Sequence, residues 1–222
     1  MEESKEKLYS NTGNLDVINL IPHNAEYILD IGCGDGAVAR VLTNRNCVID
    51  GVTISQEEQK IAGKVMRHVH IFNLENGLPD LGINIYDVVI CSHVLEHICY
   101  PENLMNDIYK VLKPKGILIV ALPNIMHYKS RWQLLLGNFN YQSAGIWDYT
   151  HFRWYTFETA QKLLLKYNFR IVNKTVTGML PFNSFFTKIF PDRVNLKLFA
   201  YLISISHGFF GYQLLYCAIK KS

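Results

Sequence analysis

Charge is scarce in this chain, and neither sign prevails. Lys and Arg number 22 against 19 Asp and Glu, 18% of 222 residues, which leaves a net charge of +3. The basic residues are scattered rather than gathered into a stripe, so composition gives no reason to expect nucleic acid as a partner. Disulfide-type cysteine usage is missing too: Cys33, Cys47, Cys91, Cys99 and Cys217 are odd in number and form no Cys-x-x-Cys pair. Reduced thiols and a cytoplasmic location are the expectation. The opening MEESKEKLYS has alternating charge and no apolar centre, so it reads as neither a secretory leader nor a transit peptide. With 49% apolar and 13% aromatic residues and a mean hydropathy of +0.05, global disorder is excluded. The length suits one well-filled domain, expected over 1–222.

Long apolar runs are few. The longest, Leu196 to Ile219, has the roughly 20 residues of a membrane-spanning helix. Ser204, Ser206, His207 and Gln213 interrupt it, and Gly208 and Gly211 fall where a turn would divide it. It reads instead as a buried helix, a turn and a core strand, GYQLLYCAI, with no transmembrane span; peripheral membrane contact stays open.

From residue 15 to 120, short apolar runs alternate with helix-period segments, the pattern of a parallel sheet flanked by helices. Strands are predicted at 27–31, 47–54, 68–72, 86–92 and 116–122, and their near-continuous apolar character suits strands covered on both faces. Helices are predicted at 14–21, 36–44, 55–66 and 101–113, the last opening at Pro101 and stopping before Pro114. Residues 123–155 break the rhythm with a basic, aromatic helix and a long loop, expected to form a lid or substrate pocket. A helix at 156–167, a strand at 169–176, a helical region and a closing strand at 212–219 follow. The whole is a Rossmann-like, doubly wound α/β sheet.

The first strand runs into Asp30-Ile-Gly32-Cys-Gly34-Asp-Gly36 and then a helix. Such glycines let backbone approach a ligand closely at a helix N-terminus beyond the sheet edge. Gly32, Gly34 and Ala37 also satisfy a dinucleotide-binding spacing, so a nicotinamide oxidoreductase stands as an alternative. Asp30 favours a cationic ligand, since a carboxylate there would repel a pyrophosphate and attract an ammonium or sulfonium.

ILDIGCGDG, then IYDVVICSHVLEHI and PENLMNDIYKVLKPKGILIVALPN, resemble the successive motifs of class I S-adenosylmethionine-dependent methyltransferases. The resemblance implies a seven-stranded sheet, mostly parallel with an antiparallel last strand, and S-adenosylmethionine as cofactor. It implies that Asp30, Gly32, Cys33, Gly34, Gly36, Thr53, Ile54, Glu58, Asn73, Leu74 and Ser92 surround the cofactor. Two positions depart from the family pattern. Thr53, with Glu58 one helical turn on, stands where an acidic residue usually holds the ribose, in a GVTIS stretch similar to cyclopropane-fatty-acid-synthase-type enzymes. Asn73 stands where Asp often receives the adenine amino group; an amide oxygen can accept the same bond.

For the chemistry, a hydroxyl acceptor needs a base near the sulfonium. Ser92-His93-Val-Leu-Glu96-His97 puts three ionisable side chains within one turn. The spacing is metal-capable, and with Glu replacing His93 it resembles the metal-binding motif of small-RNA 2′-O-methyltransferases and ubiquinone-biosynthesis-type O-methyltransferases. Packing or substrate hydrogen bonding explains it as well, and no metal is assigned. His93, His97 and His151 are the candidate bases, His151 lying among Trp147, Tyr149, Arg153 and Trp154, which suit a stacked sugar or ring or serve as lid core. His127, Tyr128, Arg131 and Trp132 form a second polar and aromatic face, where Arg131 could receive an acidic group. The region 122–164 also resembles methyltransferases of surface-glycan gene clusters and MetW-like proteins of methionine biosynthesis. The expected activity is O-methylation of a sugar or other small-molecule hydroxyl. Carbon or nitrogen methylation, a cyclopropane-type reaction, and a non-catalytic MetW-like partner of an acyltransferase are the alternatives.

Overall fold

The structure is a computed structural model that describes residues 13–178 and 192–221. Its order is α1 (Leu15–Ile18), β1 (Tyr27–Ile31), α2 (Ala37–Leu42), β2 (Val48–Thr53), α3 (Gln56–Ala62), β3 (His68–Ile71), β4 (Tyr86–Ser92), α4 (Glu102–Val111) and β5 (Leu112–Pro123). Then come α5 (Tyr128–Leu135), α6 (Phe157–Lys166), β6 (Phe169–Thr177), α7 (Asp192–Ile205), α8 (His207–Phe210) and β7 (Gln213–Lys220). Single 3₁₀ turns occur at Leu74–Asn76 and Leu95–His97.

The seven strands form one sheet in the order β3-β2-β1-β4-β5-β7-β6. β1 to β5 pair in parallel, and β7 runs antiparallel between β5 and β6. Alternation along the strands divides the core in two. Leu29, Ile31, Val89 and Leu118 meet α4 and α6 through Leu104, Met105, Ile108 and Leu164. Ile28, Val88, Ile90 and Ile119 meet α1 and α2 through Val17, Ile18, Val38 and Leu42, with Ala62 of α3 on the same side. Covered on both faces, these strands need no polar side, which is why they read as continuous apolar runs.

The helices are shorter than periodicity suggests, because flanking residues cap or turn instead of extending the spiral. Ser55 lies outside α3 and accepts the Glu58 N–H, and Thr156 and Thr159 cap α6 reciprocally. Pro101 precedes α4 rather than opening it, and the helix stops at Val111, short of Pro114, because Leu112 already pairs with Tyr86. β5 then bulges through Pro114 and Gly116 before resuming at Ile117 opposite Val88.

Two expectations near the C-terminus are refined. The first part of the helical region after 178 lies outside the described residues, and α7 is not a buried helix. Among its described side chains Ile203 packs on the core, while Tyr201 and Ile205 are 63% and 61% exposed. Among the described residues no helix is long and apolar enough to cross a membrane.

Candidate active site

The chain leaves β1 toward β2 and β3 on one side and returns through β4 on the other, so the crevice between the C-terminal ends of β1 and β4 is the topological switch point. Thr53 and Ser92 end parallel strands at this one edge, and Gly32, Gly34, Gly36, Ile54, Asn73, Leu74 and His93 follow them there. Antiparallel β7 begins there too, with Gln213 opposite Pro123.

Gly32 and Gly36 are required. Their φ values are +70° and +84°, and a Cβ on Gly32 would lie 2.6 Å from Val94. Gly34 also has positive φ. Both Gly32 and Cys33 donate their N–H to Val52 O. The Cys33 side chain faces Gly51 in the core rather than the crevice. Burial, with the charges of Asp30 and Glu58, pushes its thiol well up, so it stays neutral.

Asp30 is 3% exposed and its side chain makes no hydrogen bond to a described residue; burial alone raises its pKa from 3.8 to about 7. A carboxylate held this way is stabilised by an arriving cation. At the end of β2, Thr53 Oγ1 donates to Glu58 Oε2, and both side chains are buried. The acidic group absent from the strand end is thus delivered by α3. Ile54 beside it is 68% exposed. Asn73 caps the turn at Leu74–Asn76, its oxygen accepting the Glu75 N–H at 3.0 Å, while Glu75 accepts from Cys99 N at 2.7 Å. Ser92 Oγ accepts from Asn14 at 3.4 Å.

The three predicted bases separate. His93, held at φ +56°, places Nδ1 3.1 Å from Glu96 Oε1 and Nε2 2.7 Å from Gln213 Oε1. Gln213 also accepts from Asn14 and donates to Thr177. With oxygen acceptors on both ring nitrogens, His93 donates twice. Partial burial lowers its pKa, but the bond and charge of Glu96, with Gln213, outweigh this and leave it raised. In this geometry both ring nitrogens of His93 face oxygen acceptors.

His97 and His151 come together instead, their rings 4.7 Å apart edge to face. His97 Nδ1 meets Thr150 O at 3.2 Å and Thr150 Oγ1 at 3.0 Å, and Thr150 Oγ1 donates to Asp148. His151 Nδ1 meets Ile146 O at 3.1 Å. A carbonyl only accepts, so each Nδ1 carries the proton and each Nε2 is left with its lone pair. Burial, partly countered by Glu96, lowers the His151 pKa. Glu96 is 1% exposed and its Oε2 has no partner. The metal-capable group is therefore Glu96, His97 and His151, not the tandem His93, Glu96 and His97.

The segment 123–155 docks on the same turn. Phe152 and Arg153 N–H groups donate to Glu96 O, Arg153 Nε to Cys99 O, and fully buried Asn124 ties the segment to Gly208 and Gly211. Trp147 is buried against Phe139 and bonded to Gln133, so it packs inside the segment. Arg131 donates to Met126 O and lies over Phe209 rather than standing free for an acid. His127 is buried between Tyr128 and Tyr212 with Nδ1 unpartnered. Gln213 and Asn14 were not foreseen. Nothing near them in sequence marks them, since they meet His93 only through the returning strand and α1.

A doubly wound sheet with β7 reversed, a glycine turn at its switch point, and a buried carboxylate there define the class I S-adenosylmethionine-dependent methyltransferases. The comparisons agree. A family model described as "Methyltransferase domain" matches residues 10–174, and the chain belongs to that family, with S-adenosylmethionine as its cofactor. The family is one of methyltransferases, not of nicotinamide oxidoreductases.

Among curated proteins it is similar to the ubiquinone biosynthesis O-methyltransferase of Rickettsia bellii, 32% identical over 100 residues, 44% of this chain and 42% of that protein. The enzyme of that name from Coxiella burnetii is 24% identical over 135 residues, 57% of each chain. The chain thus spans about half the length of the curated relatives it matches. Among solved structures it resembles a SAM-dependent methyltransferase from Archaeoglobus fulgidus, with TM-score 0.61, 21% identity, and 89% of this chain and 87% of that one covered. One from Mesorhizobium loti gives 0.61 at 15% identity, covering 93% and 96%.

Proposed function

We propose that this enzyme moves a methyl group from S-adenosylmethionine to a hydroxyl oxygen of a small molecule. Asp30 receives the cofactor's ammonium, the Thr53 and Glu58 pair its ribose, exposed Ile54 one face of its adenine, and Asn73 with Leu74 the adenine edge. The Gly32–Gly36 turn admits the backbone approach. Methyl transfer to oxygen is an in-line displacement: the O–C bond forms as the C–S bond breaks, S-adenosylhomocysteine leaves, and the hydroxyl proton passes to Nε2 of His151. The observation that carries the reading is the cluster of buried Glu96, half-buried His97 and buried His151 at the strand edge that carries the cofactor turn. There the acceptor hydroxyl binds and loses its proton. The test is production of S-adenosylhomocysteine with nucleotide sugars and with polyhydroxylated phenols. Turnover with a hydroxyl acceptor that falls about 100-fold or more in His151→Ala supports the reading; carbon or nitrogen methylation with unchanged turnover in that variant sinks it.

Sugar and phenol are the two acceptor classes. The sugar reading rests on the resemblance of 122–164 to glycan-cluster enzymes. The phenolic reading draws on the names of the curated relatives and has a feature of its own. Trp132, Leu135, Leu136, Phe139 and Tyr141 project into solvent from a segment, 125–147, that holds no Asp or Glu. Such a surface suits an acceptor bearing an apolar chain, met at a lipid surface. Liposome co-sedimentation that requires Trp132 and Leu135 separates the two.

A further inference from the structure

We infer that the groove between residues 152–155 and α6 binds the nucleoside diphosphate of a nucleotide-sugar acceptor, phosphate oxygens on Arg153, Lys162 and Lys166 and the base on Phe152 and Trp154. The inference rests on the proposed O-methylation and deepens it by naming the acceptor class. The groove has a volume of about 380 Å³, enough for a small molecule. One wall is the chain that follows His151; the other is the face of α6 that carries Lys162 and Lys166, four residues apart. No described Asp or Glu lines it.

The groove is built on the same turn as Glu96, His97 and His151. Phe152 N and Arg153 N donate to Glu96 O, and Arg153 Nε donates to Cys99 O at 2.7 Å. The Tyr155 hydroxyl at the groove's buried side donates to Leu95 O at 3.4 Å. Trp154 Nε1 donates at 3.2 Å to Ile146 O, the carbonyl that also meets His151 Nδ1. His151 is the next residue in the chain, so the methylated sugar belongs at that end and the diphosphate along α6.

The lining chemistry selects the ligand. Arg153 spends only Nε, and its two terminal amino groups bond no described residue, which leaves a fork suited to phosphate oxygens. Lys162 meets Glu158 at 2.7 Å, but the two side chains are 70% and 75% exposed, a pair that water already weakens and a phosphate displaces. Lys166 stands 3.9 Å from Glu102, too far for a hydrogen bond. Phe152 is exposed and Trp154 half-buried, so aromatic surface lies beside the cations, where a base can stack. An uncharged phenol or an apolar chain would leave all three cations without a role.

The test titrates full-length protein calorimetrically with uridine diphosphate, inorganic pyrophosphate and uridine, with and without saturating S-adenosylhomocysteine. Uridine diphosphate is expected to bind in both conditions, more tightly than pyrophosphate or uridine, and more weakly as salt rises. Its affinity should fall about 10-fold or more in Arg153→Ala and in the double variant Lys162→Gln with Lys166→Gln, while S-adenosylhomocysteine affinity is unchanged. In turnover of a nucleotide sugar the double variant should raise KM and leave kcat within about twofold. Both lysines are solvent-exposed, so the double variant decides should Arg153→Ala fail to fold. Absence of binding at millimolar uridine diphosphate, binding unchanged in the double variant, or binding that S-adenosylhomocysteine displaces overturns the site. Pyrophosphate binding as tightly as uridine diphosphate overturns the part given to the base. Turnover of an unphosphorylated phenol with no uridine diphosphate bound defeats this inference alone; uridine diphosphate bound as expected, with methyl transfer to carbon or nitrogen, defeats the O-methylation reading instead.

Discussion

Replacing Asp30 by Asn tests the electrostatics of the crevice most directly. In the free protein this carboxyl is 3% exposed, and burial raises its pKa from 3.8 to about 7. A folded-state pKa above the unfolded one means that the native state holds the extra proton between those two values. Its contribution to stability is therefore intact below pH 3.8, declines as the pH rises toward 7, and is gone above. The displacement corresponds to about 4 kcal/mol, an upper bound given relaxation and water entry around a buried charge. Asn is isosteric and uncharged, so Asp30→Asn should be more stable than wild type at pH 8, with a melting temperature up to roughly 10 °C higher, and indistinguishable from it near pH 4. The same change should weaken S-adenosylhomocysteine binding about 10- to 100-fold, the cost of losing a charged hydrogen bond to the ammonium. Thermal melts of both proteins from pH 4 to 9, with and without S-adenosylhomocysteine, measure each quantity. If wild type and variant show the same pH slope, or the variant is less stable at pH 8, the reasoning is refuted.

Other consequences follow from neighbouring residues. Gly32→Ala puts a Cβ 2.6 Å from Val94 at a φ of +70°, and should cost about 1–3 kcal/mol by denaturant unfolding while abolishing cofactor binding. Glu58→Gln keeps the size but not the charge at Thr53, and should weaken S-adenosylhomocysteine by about 10-fold in calorimetry with little change in melting temperature. His127 is buried with its pKa lowered to about 4, by burial first and then by Lys129. A depressed imidazole destabilises the fold as pH falls from 6.5 to 4, by up to about 3 kcal/mol, and His127→Phe should flatten that part of the stability curve. Equal acid slopes in the two proteins would show that another group is responsible.

Much of this enzyme is local in origin and was open to reading from sequence. The five parallel strands follow from apolar runs that must be covered on both faces. The glycine turn follows from backbone that only glycine tolerates, and Asp30 from its position beside it. Thr53 and Glu58 lie five residues apart across one cap, so a strand end followed by a helix N-terminus brings them together without help from the rest of the chain. Helix lengths were less legible, since periodicity continues through caps and turns that only the backbone's hydrogen bonds distinguish.

The grouping proposed for catalysis belongs to the tertiary structure. Sequence spacing set His93 with Glu96 and His97, yet the fold turns His93 toward Gln213, 120 residues away, and supplies His151 in its place. That exchange depends on two long-range events. Antiparallel β7 delivers Gln213 to the edge where the parallel strands end, and Glu96 O captures the N–H groups beside His151. The sequence determined that a cofactor turn and several histidines exist; which histidines face one another was decided by docking of distant segments, because side-chain convergence is set by backbone hydrogen bonds between elements and leaves no periodic trace within any one of them.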